Sequence, residues 1–410
     1  MTTPKPPLFT RYQKEAVAIL AFLQFTIVLD FMILSPLGAL LMDQLKITTR
    51  QFGWVVSAYA FSAGVSGILA AGFADKFDRK KLLLFFYTGF LTGTLLCGIA
   101  PTYHLLLGAR IITGIFGGVL GAISLAIVAD LFAMEIRGRV MGFVQSSFAA
   151  AQVLGLPLGL WISNKFSWHA PFLMIVGVSS LVGILIFLRL KPLDAHLKIK
   201  SDRNPLKHLL KTITRGRYLG AFAATTLLAT GGFMLMPFAS AFSVHNLGIP
   251  LDKLPLVYMI TGIGAGIGGP LLGKLSDTIG KYALFCMGST LGLVVVLFYC
   301  NLGVTPLWEV ILVNVVLFIA ITARMITANT LISGVPDMQD RGAFMSINGS
   351  VAQLAGGLAA MLAGLIVVQN ADGSLGRYNV LGAVVAVAMA IVMALMYNVN
   401  RIVKSHIPRP

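Results

Sequence analysis

Apolar residues gather into twelve stretches of this chain, at 16–41, 52–73, 82–100, 104–129, 140–163, 170–190, 218–242, 254–273, 282–302, 308–332, 343–369 and 378–398. Each is close to the roughly 20 residues that an α-helix needs to cross the hydrocarbon of a bilayer. Polar residues are confined to the segments between. Glycine and alanine recur inside the runs, as at Gly114, Gly117, Gly118 and Gly121, where they would weaken a soluble helix but let membrane helices approach closely. The pattern predicts an all-α membrane protein with twelve transmembrane helices.

The longest polar stretch, 191–217, falls near the middle of the chain and predicts two six-helix bundles, 1–190 and 218–410, joined by a linker. Within it, NPLKHLLKTI suits either a short amphipathic helix on anionic lipid or a solvated connection. The run after the basic segment Met1–Lys14 is too long for a signal peptide and is read as a retained first helix.

Composition strengthens this reading: 57% of the residues are hydrophobic and 11% are charged, too few charges to solvate a globular surface of this size. The net charge of +16 does not point to nucleic acid, because the basic residues lie in loops and not on one folded face. With both termini inside, 24 of the 31 Lys and Arg fall in inner loops, tails and linker and five in outer loops, leaving Arg110 and Arg324 within helices. The positive-inside rule then predicts both termini in the cytoplasm. Cys97, Cys286 and Cys300 sit in apolar stretches without CxxC or His spacing, so neither a metal site nor a disulfide framework is expected. No cofactor is expected.

A motif recurs about 200 residues apart. AGFADKFDRKK follows the second stretch and GKLSDTIGKY follows the eighth, each placing an Asp at a helix end and Lys or Arg a few residues later. Two copies on the same side indicate a parallel repeat about an axis along the membrane normal. At these residues the chain resembles the major facilitator superfamily, whose loop between helices 2 and 3 reads G-x-L-x-D-R-x-G-R-K. Asp75, Lys76, Arg79 and Lys80 match the first copy, with Ala71 and Asp78 in place of its glycines. Gly273, Asp277, Gly280 and Lys281 match the second. Asp78 can stand for the turn glycine if it takes left-handed geometry. Asp75 could sit against a neighbouring helix N-terminus beside Arg79 and Lys80 as a conformational latch; a plain positive-inside loop would explain the basic residues but not the two aligned acids. Arg110 and Gly114 resemble the superfamily's fourth-helix R-x-x-x-G stretch. Gly155, Pro157 and Gly159, followed by SWHAPF, resemble the fifth-helix motif of its twelve-helix drug:proton antiporters and sugar-efflux exporters, with Leu156 where a glycine usually precedes the proline.

Ionisable groups inside membrane helices are costly and therefore functional candidates. Asp30 lies roughly 21 Å into the first helix and Arg110 roughly 9 Å below the outer end of the fourth, at 1.5 Å per residue, so the two could meet. One reading is a proton site, with Asp30 alternating between a protonated form and an ionised form held by Arg110. A permanent structural pair is the other.

Candidate substrate residues are Gln24, Tyr59, Gln145, Phe148 and Gln152 in the first half and Met236, Phe318, Arg324 and Asn329 in the second. Asn314, Met234, Phe238 and Met325 lie nearby in sequence. As a class such residues serve packing or interhelical hydrogen bonds more often than ligand contact. Arg324 could bind an anionic group or reach a carbonyl.

No GxxxxGK[ST] loop occurs, so ATP is not the expected energy source. Neither paired carboxylates nor a nucleophile elbow suggests an enzyme, and a channel would not need matched loops in two halves. The expectation is a monomeric transporter in a bacterial inner membrane, surrounded by lipid, that exports small amphipathic or drug-like compounds by proton antiport and alternating access. A more selective exporter of sugars, metabolites or lipids is the alternative.

Overall fold

The computed structural model describes residues 9–71, 73–194, 197, 209, 211–337 and 340–405. Among them, twelve helices are long and apolar enough to cross a bilayer. In the first half these are α1 (Arg11–Ile33), α2 (Thr49–Ala70), α3 (Arg79–Gly98), α4 (Tyr103–Leu131), α5 (Ile136–Lys165) and α6 (Ala170–Arg189). In the second they are α7 (Gly216–His245), α8 (Leu251–Ile279), α9 (Lys281–Tyr299), α10 (Leu307–Ser333), α11 (Arg341–Ile366) and α12 (Tyr378–Lys404). Their interior backbone groups are satisfied within each helix, as the absence of water in lipid requires. A two-residue antiparallel ladder, Val368–Gln369 with Leu375–Gly376, is the described sheet structure and joins α11 to α12.

The first apolar stretch departs from expectation. It does not run as one helix to residue 41: α1 stops at Ile33, the chain turns through Ser35 and Pro36, and a short helix, Gly38–Leu45, follows. Proline has no N–H to donate back along a helix, which suits a break there. The linker's candidate amphipathic segment lies mostly outside the described residues, as does the extreme N-terminus.

An even number of crossings puts both ends of the chain on one side, here called the terminus face; the other is the far face. The halves meet along two seams, α2 against α11 and α5 against α8. At the α2–α11 seam backbones touch nearly directly. A Cβ on Gly364 would stand 2.8 Å from the Thr49 carbonyl oxygen, and one on Gly53 2.9 Å from that of Ala360. Thr49 Oγ1 donates to the Val367 carbonyl at 2.7 Å, and Ser57 Oγ to that of Gly357 at 2.8 Å.

The distribution of buried side chains shows which end is closed. Near the far face, residues of both halves share one apolar core that includes Leu37, Phe52, Trp168, Phe238, Leu254 and Tyr378. Toward the terminus face there are two cores. One holds Leu20, Phe86, Ile123 and Ile186 of the first half, the other Phe222, Phe285, Phe344 and Val392 of the second. The space between the halves is therefore sealed at the far face and widens toward the termini.

Candidate functional site

Asp30 and Arg110 are brought together deep inside the first half, 0% and 1% exposed. Arg110 Nη1 donates to Asp30 Oδ2 at 2.9 Å and lies 3.4 Å from the Asp30 carbonyl oxygen. The second carboxylate oxygen is also held: Thr94 on α3 donates its hydroxyl to Asp30 Oδ1 at 3.0 Å. Tyr59 of α2 closes the site from another side, with the Arg110 guanidinium carbon 4.6 Å from its ring centroid. Four helices thus converge on one carboxylate. Charge-assisted bonds and a cation–π contact offset part of the cost of burying two ions. Arg110 Nε is left buried without a partner.

The fifth-helix motif bears on this site through α1. A π-turn over Ala151–Gly155 precedes Pro157, which lies in the first turn of the helix that follows. Such a widened turn redirects a helix where its ladder is interrupted. Built Cβ atoms on Gly155 and Gly159 would lie 2.7 Å from Leu29 and 2.6 Å from Ile33 respectively. The bare backbone of α5 therefore seats against the residues that flank Asp30.

The other candidates spread along the gap between the halves. Gln145, Phe148 and Gln152 occupy one stripe of α5 at i, i+3 and i+7; Gln145 and Phe148 are exposed, and the Gln152 backbone meets Gly262 of α8. Gln24 is half-buried beside Gly121 of α4. Across the gap, Met236 and Phe318 are half-buried, Met325 and Asn329 exposed, and Met234 and Phe238 belong to the shared far-face core. Asn314 Nδ2 donates within its own helix to the Val310 carbonyl at 2.8 Å. Arg324 points into the second half, where its Nε donates to Ser289 Oγ at 3.1 Å.

At the terminus face the matched loops behave differently from one another. The Asp75 side chain lies outside the described residues, and Lys76 is exposed. Asp78 does not take the left-handed conformation of a turn glycine: with φ −55° it caps α3, accepting from the Lys81 amide at 2.8 Å. Its other oxygen accepts from the Leu193 amide at 2.7 Å, and the Arg79 amide donates to the Leu193 carbonyl at 3.1 Å. Arg79 Nε lies 3.5 Å from Asp130 Oδ2, and Lys80 donates to the Phe187 carbonyl at 2.8 Å. In the second copy Gly280 does adopt positive φ, +94°, and Lys281 pairs with Asp277. A further cluster joins Arg215 to Asp337 and Asp340, with Tyr218 donating to Asp340 Oδ2 at 2.9 Å.

Thr94, Asp78 as a cap, and the Arg215 cluster were not singled out in the sequence. A hydroxyl in an apolar run carries no mark of its own, and the acids of the α10–α11 turn read as ordinary loop residues.

The comparisons agree with this architecture. A family model described as Major Facilitator Superfamily matches residues 20–360 and 221–409. An uncharacterized MFS-type transporter, YceJ of Bacillus subtilis (strain 168), is 28% identical over 65% of this chain and 68% of its own length. Multidrug resistance protein 3 of the same organism is 36% identical over 37% of this chain and 30% of its own. A probable sugar efflux transporter of Helicobacter pylori (strain G27) is 24% identical over 61% of this chain and 63% of its own length. Among solved structures, a bacterial homolog of the human lysosomal transporter Spinster, inward-facing and unoccupied, superposes with a TM-score of 0.78 at 14% identity, covering 98% of this chain and all of the other. The nucleoside transporter NupG (D323A mutant) gives 0.75 at 15% identity, covering 93% and 98%.

Proposed function

This chain belongs to the major facilitator superfamily and is a transporter rather than an enzyme; from that premise we propose that it is a proton-coupled exporter of small amphipathic or drug-like compounds. The observation that carries this reading is the sealed Asp30–Arg110 pair. A carboxylate buried in a transporter half, held by one arginine, one threonine and one aromatic face, is a two-state group. Protonation would remove its charge and free the guanidinium, and release would restore the pair. Arg110 stays charged throughout, because a guanidinium does not lose its proton in a protein.

Substrate would enter the gap lined by Gln24, Gln145, Phe148 and Gln152 on one wall and Met236, Phe318 and Asn329 on the other, with Arg324 buried behind the second wall and Tyr59 between this path and the ion pair. The loop residues Asp75, Lys76, Arg79, Lys80, Asp277 and Lys281 would hold or release the terminus face as the halves, 1–190 and 218–410, rock about the linker 191–217. The positive-inside rule supports placing the termini in the cytoplasm of a bacterial cell, surrounded by inner-membrane lipid. The gap then opens inward, and one chain suffices as a monomer. The likeness to a probable sugar efflux transporter supports a second reading, a more selective exporter of sugars, metabolites or lipids.

The experiment is flux of anionic, neutral and cationic amphipathic dyes in proteoliposomes under an imposed proton gradient. Wild type should move at least one dye against its gradient, and Asp30→Asn should bind that dye yet lose the gradient's effect. Undiminished coupling in Asp30→Asn would remove this residue from the proton path.

A further inference from the structure

We infer that Arg324 receives the anionic group of the transported molecule, so that the substrate class is an organic anion: a carboxylate or phosphate on an apolar body. This rests on reading the gap between the halves as the substrate path. The basis is a contrast between the two buried arginines. Arg110 has its counter-ion in Asp30 at 2.9 Å. Arg324, 4% exposed on α10, has no carboxylate within ion-pair distance among the described residues.

Its surroundings complete one bond and no charge balance. Nε donates to Ser289 Oγ at 3.1 Å, and the guanidinium carbon lies 5.9 Å from the Phe285 ring centroid. Nη2 is sealed without any partner. A guanidinium has five donors in a fixed fork and cannot become neutral to escape the cost of burial. An ion in a low-dielectric interior without a counter-charge is the costly case, and an arriving anion would relieve it.

The α7 side of the fork is bare backbone at two successive glycines. At Gly231 a built Cβ would meet only Arg324 Nη1 and Val385 Cγ1, each at 4.0 Å, and at the exposed Gly232 nothing lies within 4 Å. At Gly231, α7 presents no side chain to Nη1. A planar carboxylate or a phosphate oxygen pair suits this fork, whose geometry favours two parallel bonds. Met325, exposed beside Arg324, and the half-buried Phe318 supply apolar surface for the rest of the molecule.

The test measures binding to the purified full-length protein by thermal shift, using sodium benzoate, its neutral isostere benzamide, inorganic phosphate and sodium chloride at matched ionic strength. The expected result is a saturable rise in Tm with benzoate or phosphate that benzamide and chloride do not reproduce. Arg324→Met should abolish that rise while leaving the free protein at least as thermostable as wild type, because it removes an uncompensated charge. Arg324→Lys should weaken the response about tenfold and so distinguish the fork from charge alone. Equal responses to benzoate and benzamide, an equal response to chloride, retention of the shift in Arg324→Met, or no response to either anion in wild type would each overturn the assignment. No proton gradient is present, so the outcome is separate from that of the Asp30 experiment.

Discussion

Phe31 and Phe233 pack ring against ring across the two halves, their centroids 5.7 Å apart, and Phe31 is the residue next to Asp30. Phe31 also lies 5.3 Å from the Tyr59 ring, which underlies the Arg110 guanidinium. A continuous run of contacts therefore leads from the buried ion pair to the opposite half. A change in Asp30 charge that moves Arg110 would move Tyr59, and the ring contact would carry it to α7.

Removing one member of the pair is expected to destabilise by about 3–5 kcal/mol, because it leaves an uncompensated buried charge. Arg110→Met should therefore lower Tm more than the double variant Asp30→Leu/Arg110→Met. Thermal unfolding in one detergent checks this; a double variant no better than the single would mean that the pair's hydrogen bonds, not its charges, hold the helices.

Tyr59→Phe keeps the aromatic face beneath Arg110 and should transport at close to the wild-type rate, whereas Tyr59→Ala should lose most coupled flux while still folding. The contact is worth about 0.5–2 kcal/mol in a desolvated setting. Equal activity in the two variants would remove the ring from the coupling route.

Gly53 and Gly364 let α2 and α11 touch at the far face. Gly53→Leu should wedge that seam and shift the population toward an opening there. A cysteine placed at the buried Phe238 reports it: labelling by a membrane-impermeant maleimide should rise several-fold, and an unchanged rate would mean that the seam repacks around the new side chain.

His245 of α7 lies 3.6 Å from Asp43 on the short helix of the other half, and the contact carries an ion pair only when the imidazole is protonated. Asp43→Asn removes the carboxylate from this contact between the halves and should speed opening at the far face. Flux of wild type and Asp43→Asn compared at one pH reads the difference, and equal rates would mean that the contact does not hold the far face.

Asp372, in the far-face turn between α11 and α12, is held below the usual carboxylate range, first by its hydrogen bond from the Ser374 hydroxyl, then by that from the Ser374 amide, with His245 a smaller contributor. A depressed pKa stabilises the turn above the unfolded-state value, and that stabilisation is lost as pH falls through the folded value. Exchange of the Ser374 amide should accelerate at that lower pH, and in Asp372→Asn the acceleration should be absent.

The spans, their number and the two halves were legible because bilayer thickness converts length and hydropathy directly into helices. Asp30 and Arg110 were legible because each charge stands alone in an apolar run and counting from opposite ends puts them at one depth. Thr94 was not, since only the packing of α3 reveals which hydroxyl faces the carboxylate. The break before Gly38 hid in continuous apolarity: Pro36 marked it, but the composition on either side did not change. The role of Asp78 stayed open in the sequence because a cap and a turn glycine occupy the same place there and differ only in φ.

The linker is tied at each end to its own half, through Leu193 to Asp78 and Arg79 and through Arg215 to Asp340. The 21 residues between those anchors could reach about 75 Å if extended. Cohesion between the halves belongs to the seams. Cut there by a protease, or synthesised as two separate polypeptides, the six-helix pieces should still find each other in the bilayer and work as one machine.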